Sequence, residues 1–334
     1  SLSTTYQSPN LLLNQLPSPF FFFNDWVNSE IYTKKSTRNH AYMSRSTASK
    51  NAAKKAYSQK ESVKFWRDPV LHDLEMLRAT YVTYAFSRHA HAGFGIAILE
   101  SGAMEFNYRG STHTAPAGSV VVTQPGEMHT GQAAVENGWT YRTLLPATDW
   151  LQQAVEELTE RPSGVPYFAS PVIHDTRLNH QLIELHRTLE SSPCELERES
   201  RFLWGLAQLI QGYASDRPTA HTLGKEHSAV QQIQDYLQSQ YTENISLKEL
   251  AALVDLKPLR LLRTFRKHVG LPPHAYLNHV RIQQAKQLLI NGWSITDTAV
   301  ETGFTDQSHL HRHFKKMIGV TPGQYARACK NVQA

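Results

Sequence analysis

Cysteine is almost absent: Cys194 and Cys329 are the two in 334 residues. Two isolated thiols exclude a disulfide framework and a thiolate metal centre, and they suit a reducing compartment, so a cytoplasmic protein is expected. Long apolar runs are missing as well. None approaches the roughly 18 residues of a membrane span, and the most apolar stretch, Leu11 to Phe23, is broken by Asn14, Pro17 and Pro19. No membrane partner is expected. Residues 1–64 lack any sustained hydrophobic period, and no small-residue cleavage pattern follows Phe20 to Phe23. They read as a disordered extension. The rest is rich enough in apolar residues (40% overall) for two compact domains. Charge of one sign is scarce locally. The net +5 conceals 9 basic against 3 acidic residues in 1–64, 12 against 18 in 65–225, and 13 against 8 in 226–334. A basic C-terminal part beside an acidic middle fits nucleic-acid binding by the former.

That basic part contains a repeat. In Ser294 to Tyr325, two short helical patterns flank a turn at Thr302-Gly303-Phe304, where glycine suits a positive backbone angle and Thr305 or Asp306 can cap the next helix. Leu310, Phe314 and Met317 supply an inner face. Gln307, Ser308, His309, Arg312, Lys315 and Lys316 supply donors for base edges and phosphates. This is the build of a helix-turn-helix, whose second helix enters the major groove. Ser246 to Tyr276 carries the same skeleton. Equivalents lie 48 residues apart before the turn (Ala251 to Ala299) and 49 after it (Phe265 to Phe314). Helical spacing over Pro273 to Ile290 predicts a long helix holding the two units apart. A separation of roughly 34 Å would place both recognition helices on one face of a duplex.

Residues 228–330, and GFTDQSHLHRHFKKMIGVTPGQYA above all, resemble the DNA-binding domain of the AraC/XylS family of bacterial transcription regulators. The resemblance implies base contacts from Leu259, Leu262 and Arg263 in the first unit, and from Gln307, Ser308, His309 and Arg312 in the second. Two residues depart from the family pattern: Lys257 stands where a capping Ser is usual, and Asp255 where Gly is common. Lys cannot cap as Ser does, so the first recognition helix is expected to start late or fray. Leucines can touch a thymine methyl but cannot hydrogen-bond a base edge, so the second unit is expected to carry more of the readout.

From Phe65 the pattern changes to short strands. Met76 to Phe86, Phe94 to Glu100, Ala103 to Arg109 and Ser119 to Thr123 are separated by turn signals at Ser101-Gly102, Arg109-Gly110, Ala117-Gly118 and Pro125-Gly126. Strands this closely spaced predict an antiparallel barrel or jelly roll. His89-Ala90-His91, Gly102 and Pro125-Gly126-Glu127-Met128-His129 resemble the two motifs of the cupin superfamily, and hence the effector domain that many AraC/XylS members carry before their DNA-binding half. His89, His91 and His129 form a candidate three-imidazole metal set. Gly95 and Ile96 occupy the positions where enzymatic cupins place an acid, so neither a metal cofactor nor catalysis is expected. Arg88, His89, His91, Glu127, His129 and Tyr141 are the candidate effector-binding residues. After the strands come three amphipathic stripes: Trp150 to Leu158, Leu178-Leu182-Leu185-Leu189, and Phe202 to Ile210. Stripes of this kind usually pack on their own domain. By resemblance they also pair two subunits through a coiled-coil-like seam.

The expected architecture is α+β. It comprises an extension (1–64), a cupin-like β-barrel with flanking helices for effector binding and dimerisation (65–215), a linker (216–227), and an all-α domain with two helix-turn-helix units (228–330). The expected function is regulation of transcription, by activation as is commonest in the family, in response to a small molecule. The implied partners are double-stranded DNA, the effector, a second copy of the chain and RNA polymerase. The alternatives are a cupin metalloprotein or enzyme with an appended DNA-binding domain, and a dimeric DNA-binding protein that senses nothing.

Overall fold

The computed structural model describes residues 60–216, 218 and 226–330, side chains of 328–330 excepted; the extension before Lys60 and most of the expected linker lie outside them. Among the described residues the first half forms nine strands: β1 (Ser62–Asp68), β2 (Leu74–Tyr81), β3 (Phe86–His89), β4 (Gly95–Tyr108), β5 (Ser111–Pro116), β6 (Val120–Thr123), β7 (His129–Ala133), β8 (Trp139–Leu145) and β9 (Val172–Ile173). All pairings are antiparallel, and the main path runs β1-β2-β8-β4-β6-β9. β4 belongs to two layers, since its first half pairs with β6 and β8 and its second half with β5 and β7. β1 and β9, the ends of the path, do not pair. The cupin-like domain is therefore an open, folded-over sheet and not a closed barrel.

Two strand boundaries differ from those the composition predicts. The turn signal at Ser101-Gly102 proves to be a bulge inside β4, where the register with β8 shifts between Leu99 and Ser101. Gly102 has φ 70°, and a Cβ there would lie 1.9 Å from the Gly138 carbonyl oxygen, so only glycine lets the strand pass. The strand expected over Met76 to Phe86 ends at Tyr81, because the amides of Val82, Thr83 and Tyr84 turn onto the Glu61 carboxylate.

Alternation along the strands sorts two cores. Tyr81, Leu99, Met104, Phe106, Trp139 and Tyr141 fill the interior of the folded sheet. Met76, Ile96, Ile98, Val120 and Leu144 face outward onto helices α1 (Thr148–Thr159), α2 (Thr176–Ser191) and α3 (Glu195–Tyr213). The leucine stripe of α2 is spent inside this domain. Leu178, Leu182, Leu185 and Leu189 are each at most 4% exposed, and Leu185 and Leu182 press on Gly205 of α3. Within this arrangement the stripe offers no seam for a second subunit.

The second half is helical: α4 (His227–Ser239), α5 (Leu247–Leu253), α6 (Pro258–Val269), α7 (Pro273–Ile290), α8 (Ile295–Glu301), α9 (Gln307–Ile318) and α10 (Pro322–Lys330). α7 is buried on several sides because both units use it. Leu277 joins the first unit's core, while Ile282, Ala285 and Leu289 join Phe304, Leu310 and Phe314 in the second. Arg281, 4% exposed, fixes α7 to the turn after α4 by donating to the carbonyls of Tyr241 (2.6 Å) and Glu243 (2.8 Å). The first unit's core is also continuous with the core around α1 to α3, whereas the second unit has a separate one. The first unit is thus docked on the β-rich domain.

Candidate nucleic-acid interface and ligand cavity

In the second unit, Ser294 caps α8 through its hydroxyl, which accepts from the Asp297 amide at 3.0 Å. The turn passes through Gly303 at φ 75°, where a Cβ would lie 2.6 Å from the Thr242 carbonyl oxygen. Asp306, and not Thr305, then caps α9, accepting from the His309 amide at 2.7 Å. With Leu310 and Phe314 in the core, α9 leaves Gln307, Ser308, Arg312, Lys315 and Lys316 exposed on its outer surface. His309 falls elsewhere. It is 3% exposed, set edge-on against Phe304 (5.1 Å) and next to His313 (4.8 Å), so here it packs and presents nothing to a groove.

The first unit has the same frame and a different surface. Asp255, where the second unit has Gly303, takes φ 51°, the left-handed conformation that Asp tolerates better than most residues. α6 does not start late. It begins at Pro258, the equivalent of Gln307, although Lys257 supplies no cap. The missing cap comes from α1, where Glu157 Oε2 accepts from the Leu259 amide at 2.6 Å. Glu199 of α3 likewise accepts from the Leu247 amide (2.6 Å) at the start of α5. Burial raises the pKa of both carboxyls, and the amide bonds offset this only in part. Arg260 bridges Glu160 (2.7 Å) and Glu226 (2.8 Å), and Arg266 lies over the Trp204 ring. Leu259 and Leu262 are 0% and 2% exposed, in one contiguous core with Leu151 and Leu158 of α1. Arg263 is half-buried, and desolvation lowers its pKa. The residues expected to read bases in this unit are covered by the neighbouring domain.

The candidate effector residues divide in the same way. His89, His91, His129 and Tyr141 line a cavity of about 180 Å³ inside the folded sheet, whose other walls include Leu77, Phe86, Met104, Phe106 and Val121. Arg88 lies outside it, on the opposite, exposed face of β3. Glu127 also lies outside, tied to Arg109 Nε (2.7 Å) and the Tyr108 hydroxyl. Despite some burial, those two partners hold its carboxyl below the usual range. One ring nitrogen from each of His89, His91 and His129 lies within 4.8 Å of the others. Desolvation, with His129 and His89 nearby, depresses His91 to about 4, and desolvation lowers His129 as well, so both rings are neutral at pH 7. Burial raises the Tyr141 phenol.

The residues that sequence reasoning missed are the docking acids Glu157, Glu160, Glu199 and Glu226, with their partner Arg260. One signal was present. α6 is apolar on two faces, with Leu259 and Leu262 on one and Leu261 and Phe265 on the other, and a second apolar face implies a second packing partner.

Comparison with known proteins bears on both halves. Residues 71–206 match the AraC-like ligand binding domain, and residues 250–328 a helix-turn-helix domain. The chain is 32% identical over 253 residues to the uncharacterized HTH-type transcriptional regulator YbfI of Bacillus subtilis, covering 75% of this chain and 90% of that one. It is 28% identical over 255 residues to the HTH-type transcriptional activator RhaS of Yersinia pestis, covering 71% and 88%. Among solved structures, an apo ToxT variant of Vibrio cholerae aligns over 80% of this chain and 96% of that one, at 15% identity and a TM-score of 0.33. The chain, with its ligand-binding and helix-turn-helix domains, belongs to the AraC family of transcriptional regulators.

Proposed function

We propose that this protein activates transcription in response to a small molecule held in the cavity among His89, His91, His129 and Tyr141, and that the ligand governs whether the first helix-turn-helix unit is available to DNA. The observation that carries this reading is the difference between equivalent positions. Ser308, His311 and Arg312 of α9 are exposed, while Leu259 and Leu262 of α6 are buried in the core that α6 shares with α1 to α3 and Arg263 is half-buried. In this arrangement the second unit makes the base contacts, through Gln307, Ser308 and Arg312, with Lys315 and Lys316 on phosphates. The first unit adds a second set once released. The RhaS relative is named an activator, which favours activation and RNA polymerase as a partner. The domain limits 65–215, 216–227 and 228–330 serve this division of labour.

A continuous path joins cavity and recognition helix. His91 lines the cavity, and two residues on, Gly93 touches the β8–α1 junction so closely that a Cβ would lie 2.2 Å from the Pro146 carbonyl oxygen. The Phe94 amide donates to that same oxygen at 2.9 Å. α1 starts two residues beyond Pro146, and near its far end Glu157 caps α6. A ligand that moves His91 displaces the start of α1, and the cap moves with it. Such a ligand acts by differing in affinity for the docked and released arrangements.

The test is a footprint of the full chain on an operator obtained by in vitro selection. Without effector, the wild type should protect about one helical turn, and Glu157→Ala should extend protection toward a second turn, because α6 loses the acid that holds it. Identical one-turn footprints, from variants with unchanged circular dichroism, would refute the clamp.

A further inference from the structure

We infer that the cleft over the β1–β2 turn, between Asp73, Glu75 and the Trp150 indole, binds the head group of a small organic cation. This site lies on the outer side of the β8–α1 junction, apart from the effector cavity, and it stands without the regulatory reading above.

The cleft encloses about 480 Å³, within the usual range of small-molecule sites. Three segments meet there: the turn joining β1 to β2, the β3–β4 loop at Ala90 to Gly93, and the start of α1 at Ala147 and Trp150. The turn is firmly anchored. Asp68, 2% exposed, accepts from the Val70 amide at 3.0 Å and pairs with Arg198 of α3 at 3.4 Å. Leu71 and Leu74 are buried in the core shared with α1 to α3. With both leucines turned inward, His72 and Asp73 are left exposed, and both take left-handed backbone, at φ 53° and 56°. Two successive left-handed residues that carry a Cβ are costly, and strain of this kind gathers at ligand clamps. Neither side chain makes a hydrogen bond or ion pair among the described residues.

The sign of the ligand follows from the charges. Arg67 is the one guanidinium among the lining residues, and both its contacts go to Glu75 Oε1 (Nε at 3.1 Å), which leaves Oε2 open. With Asp73 unpaired, carboxylates outnumber the guanidinium two to one. Ala147 leaves the first amides of α1 without a side-chain cap, which attracts an anion, but Asp149 in the same turn opposes it. Trp150 supplies the apolar part. Its indole is held edge-on to Phe202 at 5.1 Å, and the exposed His72 ring lies over it at 5.0 Å. An ammonium group between the indole and Asp73 gains a cation–π contact and a carboxylate together. Little ordering is needed, because the turn is already set. His72, held only by its ring contact, is the wall that moves aside.

The experiment titrates the full chain at low salt with choline as the head-group probe, following saturation transfer to the methyl protons. Beside it run tert-butylethanol, in which carbon replaces the nitrogen, and the anion pivalate. Choline should saturate one site and bind about fivefold more tightly than either analogue. Asp73→Asn, whose new side chain accepts left-handed backbone as readily, should weaken choline roughly three- to fivefold and leave the alcohol unchanged. Trp150→Leu should weaken both, with far-ultraviolet circular dichroism unchanged. Amide hydrogen exchange should slow with choline in the β1–β2 turn and the first turn of α1. No saturable binding, choline no tighter than the alcohol or pivalate, indifference to Asp73→Asn, or protection confined to other segments would each overturn the site.

Discussion

The two helix-turn-helix units share a skeleton, with one residue inserted at the second turn, and differ in what their second helices face. α9 is capped from within by Asp306, has its own core and shows polar side chains to solvent. α6 is capped from 102 residues away by Glu157, shares a core with α1 to α3 and turns leucines toward them. Local self-sufficiency in one unit and dependence in the other is what a switch requires. The dependent unit can be given up or taken back at the cost of an interface, while the self-sufficient one, in the function proposed, keeps hold of the DNA. The lesson concerns Lys257 as much as Glu157, since a helix without its own N-cap gains more from an acid supplied by a neighbour.

The largest expected effect tests the division of labour directly. Arg312→Ala should weaken operator binding by about 1–3 kcal/mol and relax discrimination at one base pair. Arg263→Ala, the same change in the covered unit, should cost little in effector-free protein. Equal losses from the two substitutions, measured as the ratio of specific to nonspecific affinity, would erase the distinction between the units.

Much of this was legible in the sequence, for physical reasons that vary by region. The bounds of α7 are those its hydrophobic spacing predicts, because a helix serving two cores carries apolar residues at every turn. The repeat located both turns. Asp255 and Gly303 were separable as backbone positions because left-handed φ restricts residue choice. What the sequence did not show was which surface is covered. Leu259 and Leu262 are equally compatible with a thymine methyl and with another domain, and Glu157 alone carries no mark of its distant partner. Period two sets Arg88 and His89 on opposite faces of β3, but only the folded sheet shows which face lines the cavity. For the histidines, the missing acid at Gly95 argued against a metal, and the convergence of three rings was visible only in three dimensions.

A smaller effect comes from protons at the domain interface. Burial raises the Glu157 carboxyl, opposed in part by the Leu259 amide, Gln153 and Lys257, so the docked state holds that proton more tightly than a released one with the ordinary value of 4.5. Docking gains from this group below 4.5 and loses that gain as pH rises through the elevated pKa. Glu199, raised by burial, has the same sign. Glu226 has the opposite sign, because Thr264 and Arg260 hold it low against the pull of burial. Arg260 and Glu160 complete the charges at this contact. The second-turn footprint should therefore strengthen as pH rises above 4.5. Glu157→Gln keeps an acceptor for the Leu259 amide and should flatten that rise, with first-turn protection by α9 as the internal control. A pH profile unchanged by the substitution would remove Glu157 from the switch.

The smallest effect sharpens the comparison at the phosphates. Lys315 and Lys316 are exposed in the last turn of α9, and Arg266 and Lys267 in that of α6. Arg266 is engaged with Trp204 of α3. If only the second unit is on the DNA in effector-free protein, Lys315→Ala or Lys316→Ala should each reduce the slope of log affinity against log salt by about 0.9 for every phosphate no longer neutralised. Between about 50 and 200 mM salt that is a change of roughly three- to fourfold, with sequence preference intact. Arg266→Ala should leave the slope where it was, because its guanidinium is already held by the docked domain. A slope that falls as much for Arg266→Ala as for the lysines would mean that α6 touches the backbone while docked, and the covered face would then be narrower than Leu259 and Leu262 indicate.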